Sequence, residues 1–492
     1  MNNKNKGTCN DKQVRDKNMS YEKQKTTSSN IDNKVLKSGI WYTISNFMMQ
    51  GLNILTLPIF TRMLSKEQFG EFSNYSSWQN ILLIIVTLNL ESTLISAKYD
   101  FKDFDKYVFS VLSLSTLSTI FWIFMVNIFQ SYFIKLFNMS LVYINILLVY
   151  LLFYPAISLY QARARYLFDY WGSIIVSTLL SLCTASISIM LVLMSDNRLT
   201  GRVLGNMVPT VIIGLVLYVF LFLKGKKIIL KMWRYALPIA LPFIPHLLSL
   251  TVLSSTDRIM ITKMCNSQAT ALYSLAYNCG ALVTILLSSL NGAFAPWLGL
   301  KLNTKDYVSI KRVTPLYVIS FCLLAFGVML FAPEILLILG GENYMVAKYV
   351  MPPVALACIF QFLYTMYVNI EQINKHTLEM AIASISAAGL NFLLNIWLIP
   401  IWGYIAAAYT TVLSYFWLLI IHMFVVHKMK FGFVYDSKFI LMVAATMSLC
   451  TIFVTFLYTK LALRLGVIIC YLLLLITILF KYRKLIIGKL IK

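Results

Sequence analysis

The stretch FSVLSLSTLSTIFWIFMVNIF (109–129) runs without a single charge. Stretches like it recur along the chain, and they limit its fold more than any other feature. A helix needs roughly 20 apolar residues to cross a bilayer. In lipid only helices and closed barrels satisfy their own backbone, and long unbroken apolar runs select helices. Fourteen such segments can be read, at about 39–63, 69–98, 107–130, 141–162, 170–194, 201–224, 235–262, 269–298, 312–333, 345–371, 377–399, 402–427, 438–459 and 463–482. The expected fold class is an all-α polytopic membrane protein. Composition agrees: hydrophobic residues make up 59% of the chain and charged residues 12%, about half the share usual in soluble domains.

An even number of spans puts both termini on one side. The polar segments of that side hold 32 of the 42 Lys and Arg, and those of the other side hold 9. Basic residues accumulate in the cytoplasm, so both ends are expected to be cytoplasmic. The net charge of +23 then reads as a topology signal and an attraction to anionic headgroups, not as a nucleic-acid surface. Residues 1–37 are polar, lack the apolar core of a signal peptide and read as a disordered cytoplasmic tail. The eight Cys are scattered, with no CxxC pair and no Cys/His cluster, so no metal site is expected. The loops opposite the termini are short. That disfavours membrane enzymes that work through a large external domain, and the chain is expected not to be an enzyme.

A weak internal repeat runs through the chain. Thr61-Arg62-Met63 and Phe72-Ser73 recur 201 residues later as Thr262-Lys263-Met264 and Tyr273-Ser274, and Gly201 pairs with Gly403. Six helices per unit keep both units in one orientation, an arrangement that places a substrate path between halves. The expectation is two pseudo-symmetric six-helix lobes, residues 38–230 and 231–430, followed by a C-terminal helix pair and a basic tail (431–492). The basic segment KGKKIILKMWR (224–234) links the lobes.

Polar residues inside the apolar segments mark candidate cavity positions. Asn46, Gln50 and Asn53 form a stripe on the first segment, which ends at Arg62. The second carries Tyr75, Gln79, Asn80 and an intramembrane carboxylate, Glu91. Such a carboxylate points to cavity lining and coupling or to a structural ion pair. The eighth carries Tyr277 and Asn278, the tenth Gln361, and the eleventh Asn391 and Asn395. Asn and Gln at such depth also serve simply to bond neighbouring helices. The seventh segment holds Pro238, Pro242 and Pro245, each of which removes a backbone hydrogen bond, so a broken or bent helix is expected. Near its end lie adjacent charges, Asp257 and Arg258. At 100° per residue Asp257 falls within about 20° of His246, on the side of Ser249, whereas Arg258 points about 100° away. Asp257 and Arg258 are therefore candidate gate or coupling residues, along with Glu91, and each looks for a different partner.

The segment GLNFLLNIWLIPIWGYIAAAYTTVLSY (389–415) resembles a signature of bacterial polysaccharide repeat-unit flippases, in the multidrug/oligosaccharidyl-lipid/polysaccharide exporter superfamily. Asn391, Asn395, Pro400, Gly403, Thr411 and Ser414 fit it, and Ala406 stands where Gly is usual. LPIFTRMLSKEQFGEFS (57–73), YALPIALPFIPHLLS (235–249), GRVLGNMVP (201–209) and LGGENYMVA (339–347) are similar to other family segments. The resemblance implies a flippase of the bacterial cytoplasmic membrane. It would carry a polyprenyl-pyrophosphate-linked oligosaccharide for O-antigen or capsule through a central, often cationic cavity by alternating access. It would use no cofactor, be coupled to H+ or Na+, and act alongside a polysaccharide polymerase and a chain-length regulator. The cavity is expected to include Asn46, Gln50, Arg62, Tyr75, Glu91, His246, Ser249, Tyr277, Asn278 and Gln361. The sequence departs from a strongly basic cavity: Arg62 and Arg258 lie near one end of their segments, and Lys98, Arg163 and Arg165 near the other. A drug/cation antiporter of the same superfamily and a peptidoglycan-precursor flippase stand as alternatives.

Overall fold

The computed structural model describes residues 51–490 apart from 53, 168 and 281. The side chains at 170, 289, 293, 478, 479 and 481–490 are outside that description, as are Asn46, Gln50 and Asn53 of the expected stripe. The described chain is helical throughout, with no strand. In order, α1 is Ile54–Met63, α2 Lys66–Thr87, α3 Leu94–Asp100, α4 Phe104–Ile128, α5 Gln130–Phe137, α6 Leu141–Tyr166, α7 Tyr170–Met194, α8 Arg198–Gly225 and α9 Leu230–Met264. Then come α10 Ser267–Gly280, α11 Leu282–Asn303, α12 Tyr307–Leu330, α13 Ala332–Gly340, α14 Met351–Ile373, α15 Thr377–Trp402, α16 Tyr404–Lys428, α17 Ser437–Leu457 and α18 Leu461–Leu490. Among the described residues eleven helices are long and apolar enough to cross a membrane, or twelve with one bent pair. The shorter apolar helices Ile54–Met63 and Leu461–Thr477 fall in the first and last expected segments.

Helix starts are written in short polar side chains, which accept the backbone N–H groups left free in the first turn. Ser65 and Gln68 make a reciprocal capping box on α2. Asp169, Asn197, Asp306 and Asp436 cap α7, α8, α12 and α17. The Asp306 carboxyl also pairs with Lys301 at 2.6 Å, and these contacts hold its pKa down at about 2.

Two expectations about helix continuity are reversed. The second segment was read as one helix over 69–98. It breaks at Leu88 and Asn89, both left-handed (φ 60° and 45°), and the two parts meet at 50°. Glu91 lies just past the break, in a short 3-10 turn. Carbonyls freed by a break in lipid must find donors, and α4 supplies them: Ser118 Oγ donates to Val86 O (2.7 Å) and Ser115 Oγ to Thr87 O (3.2 Å). The proline-rich seventh segment, expected to break, instead runs unbroken for 35 residues as α9. Its spacing of four and three puts Pro238, Pro242 and Pro245 on one face, and all three are exposed.

The buried apolar side chains form three clusters. Two draw on residues from the first half of the chain up to Ala240. The third is built mainly from 253–471, with Phe60, Leu64, Phe69 and Val192 joining it. Helix α9 belongs to both groupings, with Met232, Ala236 and Ala240 in one and Leu253, Met260 and Ile261 in the other. The C-terminal helices pack on α12 and α14. Arg464 holds Glu334 at 2.5 Å, and Tyr471 Oη donates to Leu323 O at 3.1 Å.

Two glycines show that the repeat does not extend to local roles. Gly201 packs so closely that an added Cβ would lie 2.5 Å from Leu191 O, whereas Gly403 makes the α15–α16 turn at φ 67° with open space around it. The tightest contact joins the halves: a Cβ on Gly70 would sit 1.7 Å from Ser267 O. Gly70→Ala must therefore push α2 off α10, a change of the overpacking kind that costs about 1–3 kcal/mol. The expected result is a lower melting temperature in detergent for Gly70→Ala, with Gly389→Ala, which meets nothing within 4 Å, close to wild type.

Candidate functional site: a dibasic cavity between the halves

A cavity of about 420 Å³ lies where α1, α2, α8, α9, α10 and α11 converge. Helix α2 contributes a polar edge, Ser73, Ser76, Ser77 and Asn80, at the spacing that keeps one helical face. Ser73 and Ser77 return their hydroxyls to Phe69 O and Ser73 O, both at 2.8 Å, so the helix carries them at little cost. Asn278, Thr284 and Arg258 also line it, as do the apolar side chains of Phe60, Leu64 and Phe69.

Two guanidinium groups face this space, and no Asp or Glu is among its described lining residues. Arg202 sits with its guanidinium carbon 3.8 Å from the Phe60 ring centre and 4.4 Å from that of Phe72. It donates to Ser188 Oγ at 2.7 Å. Arg258 lies 4.6 Å from the Tyr277 ring centre and donates to Ser254 O at 3.1 Å. Stacking on ring faces suits the planar, weakly hydrated guanidinium and attracts its charge. Each Arg has five N–H donors and spends one on protein, so both keep donors for a ligand.

Arg202 was missed in sequence because it sits in the second turn of α8, where it reads as one more loop cation. The signal was its place in GRVLGNMVP: with Asn197 as the N-cap, Arg202 lies inside the helix.

Asp257 and Arg258 part company as the helical wheel implies, but not into one gate. Asp257 is 1% exposed and lies off the cavity. It accepts from Tyr273 Oη (2.5 Å), Asn395 Nδ2 (2.7 Å) and Thr411 Oγ1 (2.9 Å). Asn395 in turn is bonded by Asn391 and Thr410. Asn391, Asn395 and Thr411 of the segment 389–415 thus gather around one carboxylate on α9, which with Tyr273 ties α9, α10, α15 and α16 together. Arg258 meets no carboxylate among the described residues.

The other expected residues scatter. Asn278 lines the cavity and Tyr277 stacks on Arg258. Tyr75 is buried in a core cluster with its hydroxyl unpaired, and Gln79 accepts from Asn206 Nδ2 at 2.9 Å. His246 is half-buried beside Phe243, with Nδ1 unpaired, and Ser249 returns its hydroxyl to Pro245 O at 2.7 Å. Glu91 lies beside Tyr154, and Gln361 beside Tyr364. None of these six is among the lining residues. Arg62 is exposed and outside the cavity lining. It donates to Ile338 O (3.0 Å) while Thr61 Oγ1 donates to Leu339 O (2.6 Å), so α1 caps the carbonyl end of α13. Arg198 in turn caps α1 at Met63 O (2.7 Å).

Removing the Asp257 carboxylate leaves Tyr273 Oη without its acceptor, at about 1–3 kcal/mol for a buried unpaired group, and takes one of two acceptors from Asn395 and Thr411, which keep Asn391 Oδ1 and Ala407 O. Asp257→Ala should therefore lower the melting temperature well beyond Arg258→Ala, measured on purified protein in detergent. Equal losses would show that Asp257 is not the tie described.

Comparison with known proteins agrees with this architecture. Residues 35–300 match the family model described as polysaccharide biosynthesis protein. Protein 1 of the Lsg locus of Haemophilus influenzae is 24% identical over 335 residues, covering 64% of this chain and 79% of that one. Among solved structures, the lipid II flippase MurJ in an inward closed conformation is similar at a TM-score of 0.67 and 16% identity, over 91% of this chain and 100% of that one. An inward-facing multidrug resistance MATE transporter of the MOP superfamily is similar at 0.57 and 13%, over 80% and 98%. These likenesses show the fold of the multidrug/oligosaccharidyl-lipid/polysaccharide exporters, and with the family match over more than half its length the chain belongs to the polysaccharide biosynthesis protein family.

Proposed function

We propose that the chain is a flippase that moves a polyprenyl-pyrophosphate-linked oligosaccharide repeat unit from the cytoplasmic to the outer leaflet of a bacterial cytoplasmic membrane. The observation that carries this reading is the cavity's charge: two guanidinium groups with spare donors and, among the described lining residues, no carboxylate. Arg pairs with phosphate oxygens in bidentate fashion, so Arg202 and Arg258 form a place for the pyrophosphate. The serine and asparagine edge of α2 offers hydrogen bonds to sugar hydroxyls, and the polyprenyl tail stays in lipid. A cationic drug would meet repulsion in the same space, which weighs against the antiporter reading.

The bias of basic residues supports an outward position for the α1–α13 end of the bundle. Opening there means releasing Thr61 and Arg62 from α13 and separating α2 from α10, which lets the two halves rock about the cavity in alternating access. A polysaccharide polymerase and a chain-length regulator would act on the product on the outer side.

Deleting the gene should abolish the surface polysaccharide and leave drug efflux unchanged. The opposite pattern overturns the flippase reading. Within the cavity, each charge-assisted hydrogen bond is worth about 1.5–3 kcal/mol, so Arg202→Ala or Arg258→Ala should each cut surface polysaccharide roughly tenfold or more at unchanged protein level. Lysine at the same positions should recover part of it. Full polysaccharide in both alanine variants removes the two arginines from the substrate site.

A further inference from the structure

A second pocket, of about 380 Å³, lies between α1–α2 and the stretch that follows α13. Its volume is that of a small-molecule site. Leu64 lines both this pocket and the central cavity. Phe69 lines the cavity, Tyr344 lines the pocket, and their rings meet edge to face with centres 6.1 Å apart. Leu64 and this ring pair therefore form one apolar layer between the two spaces. The pocket itself is polar. Arg62, Ser65 and Lys66 come from the first half of the chain, and Gly341, Glu342 and Tyr344 from the second. An apolar chain such as a polyprenyl tail would desolvate these groups and return no hydrogen bond.

The pocket lacks a partner in three respects. The Tyr344 hydroxyl is buried without a hydrogen-bond partner, in a side chain 2% exposed. A ligand hydroxyl placed there recovers the cost of leaving it unpaired. The charges are unmatched too. Arg62 donates to Pro58 O and Ile338 O, which leaves further N–H groups of its guanidinium free. Lys66 Nζ lies 6.0 Å from the centre of the Tyr344 ring. Glu342 is exposed at the start of the 3-10 helix Glu342–Val350. Among the described residues the ion pairs all lie elsewhere and take in none of these three. Last, Gly341 turns the chain at φ 74°, and an added Cβ there would meet nothing within 4 Å. That wall is bare backbone, which a ligand can approach closely.

The two walls differ in chemistry. Cationic donors stand on α1–α2, and the Glu342 carboxylate faces the pocket from the other side. Two cations against one carboxylate favour a ligand of net negative charge. A sugar with an acid group fits both walls: its carboxylate takes charge-assisted bonds from Arg62 and Lys66, and its hydroxyls donate to Glu342 and meet Tyr344 Oη. We propose that this pocket is an external binding site for an acidic sugar of the transported glycan, a reading that rests on the flippase function for the source of the sugar. The walls belong to opposite halves, so the site is intact only while Thr61 and Arg62 hold α13. A ligand that binds one state shifts the population toward it. An acidic sugar bound from outside therefore holds the α1–α13 contact shut, and the transporter is slowed by its own accumulated product.

The test is calorimetric titration of the purified full-length chain in lipid nanodiscs with methyl glucuronide, methyl glucoside and inorganic phosphate. The glucuronide should bind about tenfold more tightly than the glucoside, through the charge-assisted bonds it adds, and more tightly than phosphate, which lacks the hydroxyls. Phosphate binding as tight as the glucuronide overturns the sugar site in favour of a plain anion or lipid-headgroup site. Lys66→Gln should weaken the glucuronide about tenfold. Tyr344→Phe should also weaken it, at an unchanged or higher melting temperature, because the hydroxyl it removes is unpaired. Glucuronide affinity that is unchanged in both variants, or that is lost in Arg258→Ala instead, overturns the assignment. For the closing role, Ser76→Cys in a chain whose native cysteines are replaced by serine puts a thiol on the cavity wall. External glucuronide should slow its reaction with a maleimide added outside, and Lys66→Gln should abolish the slowing. Labelling that ignores glucuronide overturns that role. Titration does not depend on transport: glucuronide binding with surface polysaccharide intact after gene deletion keeps the site and removes the flippase reading, and no binding with polysaccharide lost does the reverse.

Discussion

A backbone carbonyl that loses its helical partner in lipid has no water to turn to, and the irregular points of this fold are places where another helix supplies the missing donor. The break in α2 is held by Ser115 and Ser118 of α4. The open end of α13 is taken by Thr61 and Arg62 of α1, and the open end of α1 by Arg198 of α8. Each of these contacts joins helices distant in sequence; the serine pair lies inside the apolar span, whereas those of Arg62 and Arg198 are exposed. Where helices need no repair, small residues let them touch, as Gly70 does against Ser267.

This explains what could be read from the sequence. The apolar segments were legible because length and hydropathy are local properties; each expected segment holds a helix, and eleven of the described helices, or twelve with the bent pair, are long and apolar enough to cross a membrane. The break at Leu88 and Asn89 was not, because neither Gly nor Pro marks it and its support is two serines on another helix. The three prolines of α9 misled in the other direction. Each proline removes the donor of its own nitrogen, yet α9 carries all three on one exposed face and stays helical through them.

The site divides the same way. The 100° step that separates Asp257 from Arg258 is pure helix geometry, and it sorted one into the core and the other to the cavity. What the wheel cannot supply is the identity of the facing helix. Asp257 finds Asn395 and Thr411, residues of the resembling segment 389–415, only in three dimensions. Arg202 escaped because nearness to a helix end reads as nearness to water, whereas its guanidinium turns inward between Phe60 and Phe72.

The two kinds of polar contact in the molecule differ in how they resist movement. Around Asp257 every donor is buried and on the same side of the cavity, so breaking the cluster exposes a charge to a dry interior, at a cost of several kcal/mol. The contacts of Arg62 and Arg198 at the ends of α13 and α1 are exposed, and water can replace them at a net cost of about 1 kcal/mol each. A cycle that rocks the halves should therefore keep the Asp257 cluster intact as a rigid unit and exchange the α1–α13 contacts.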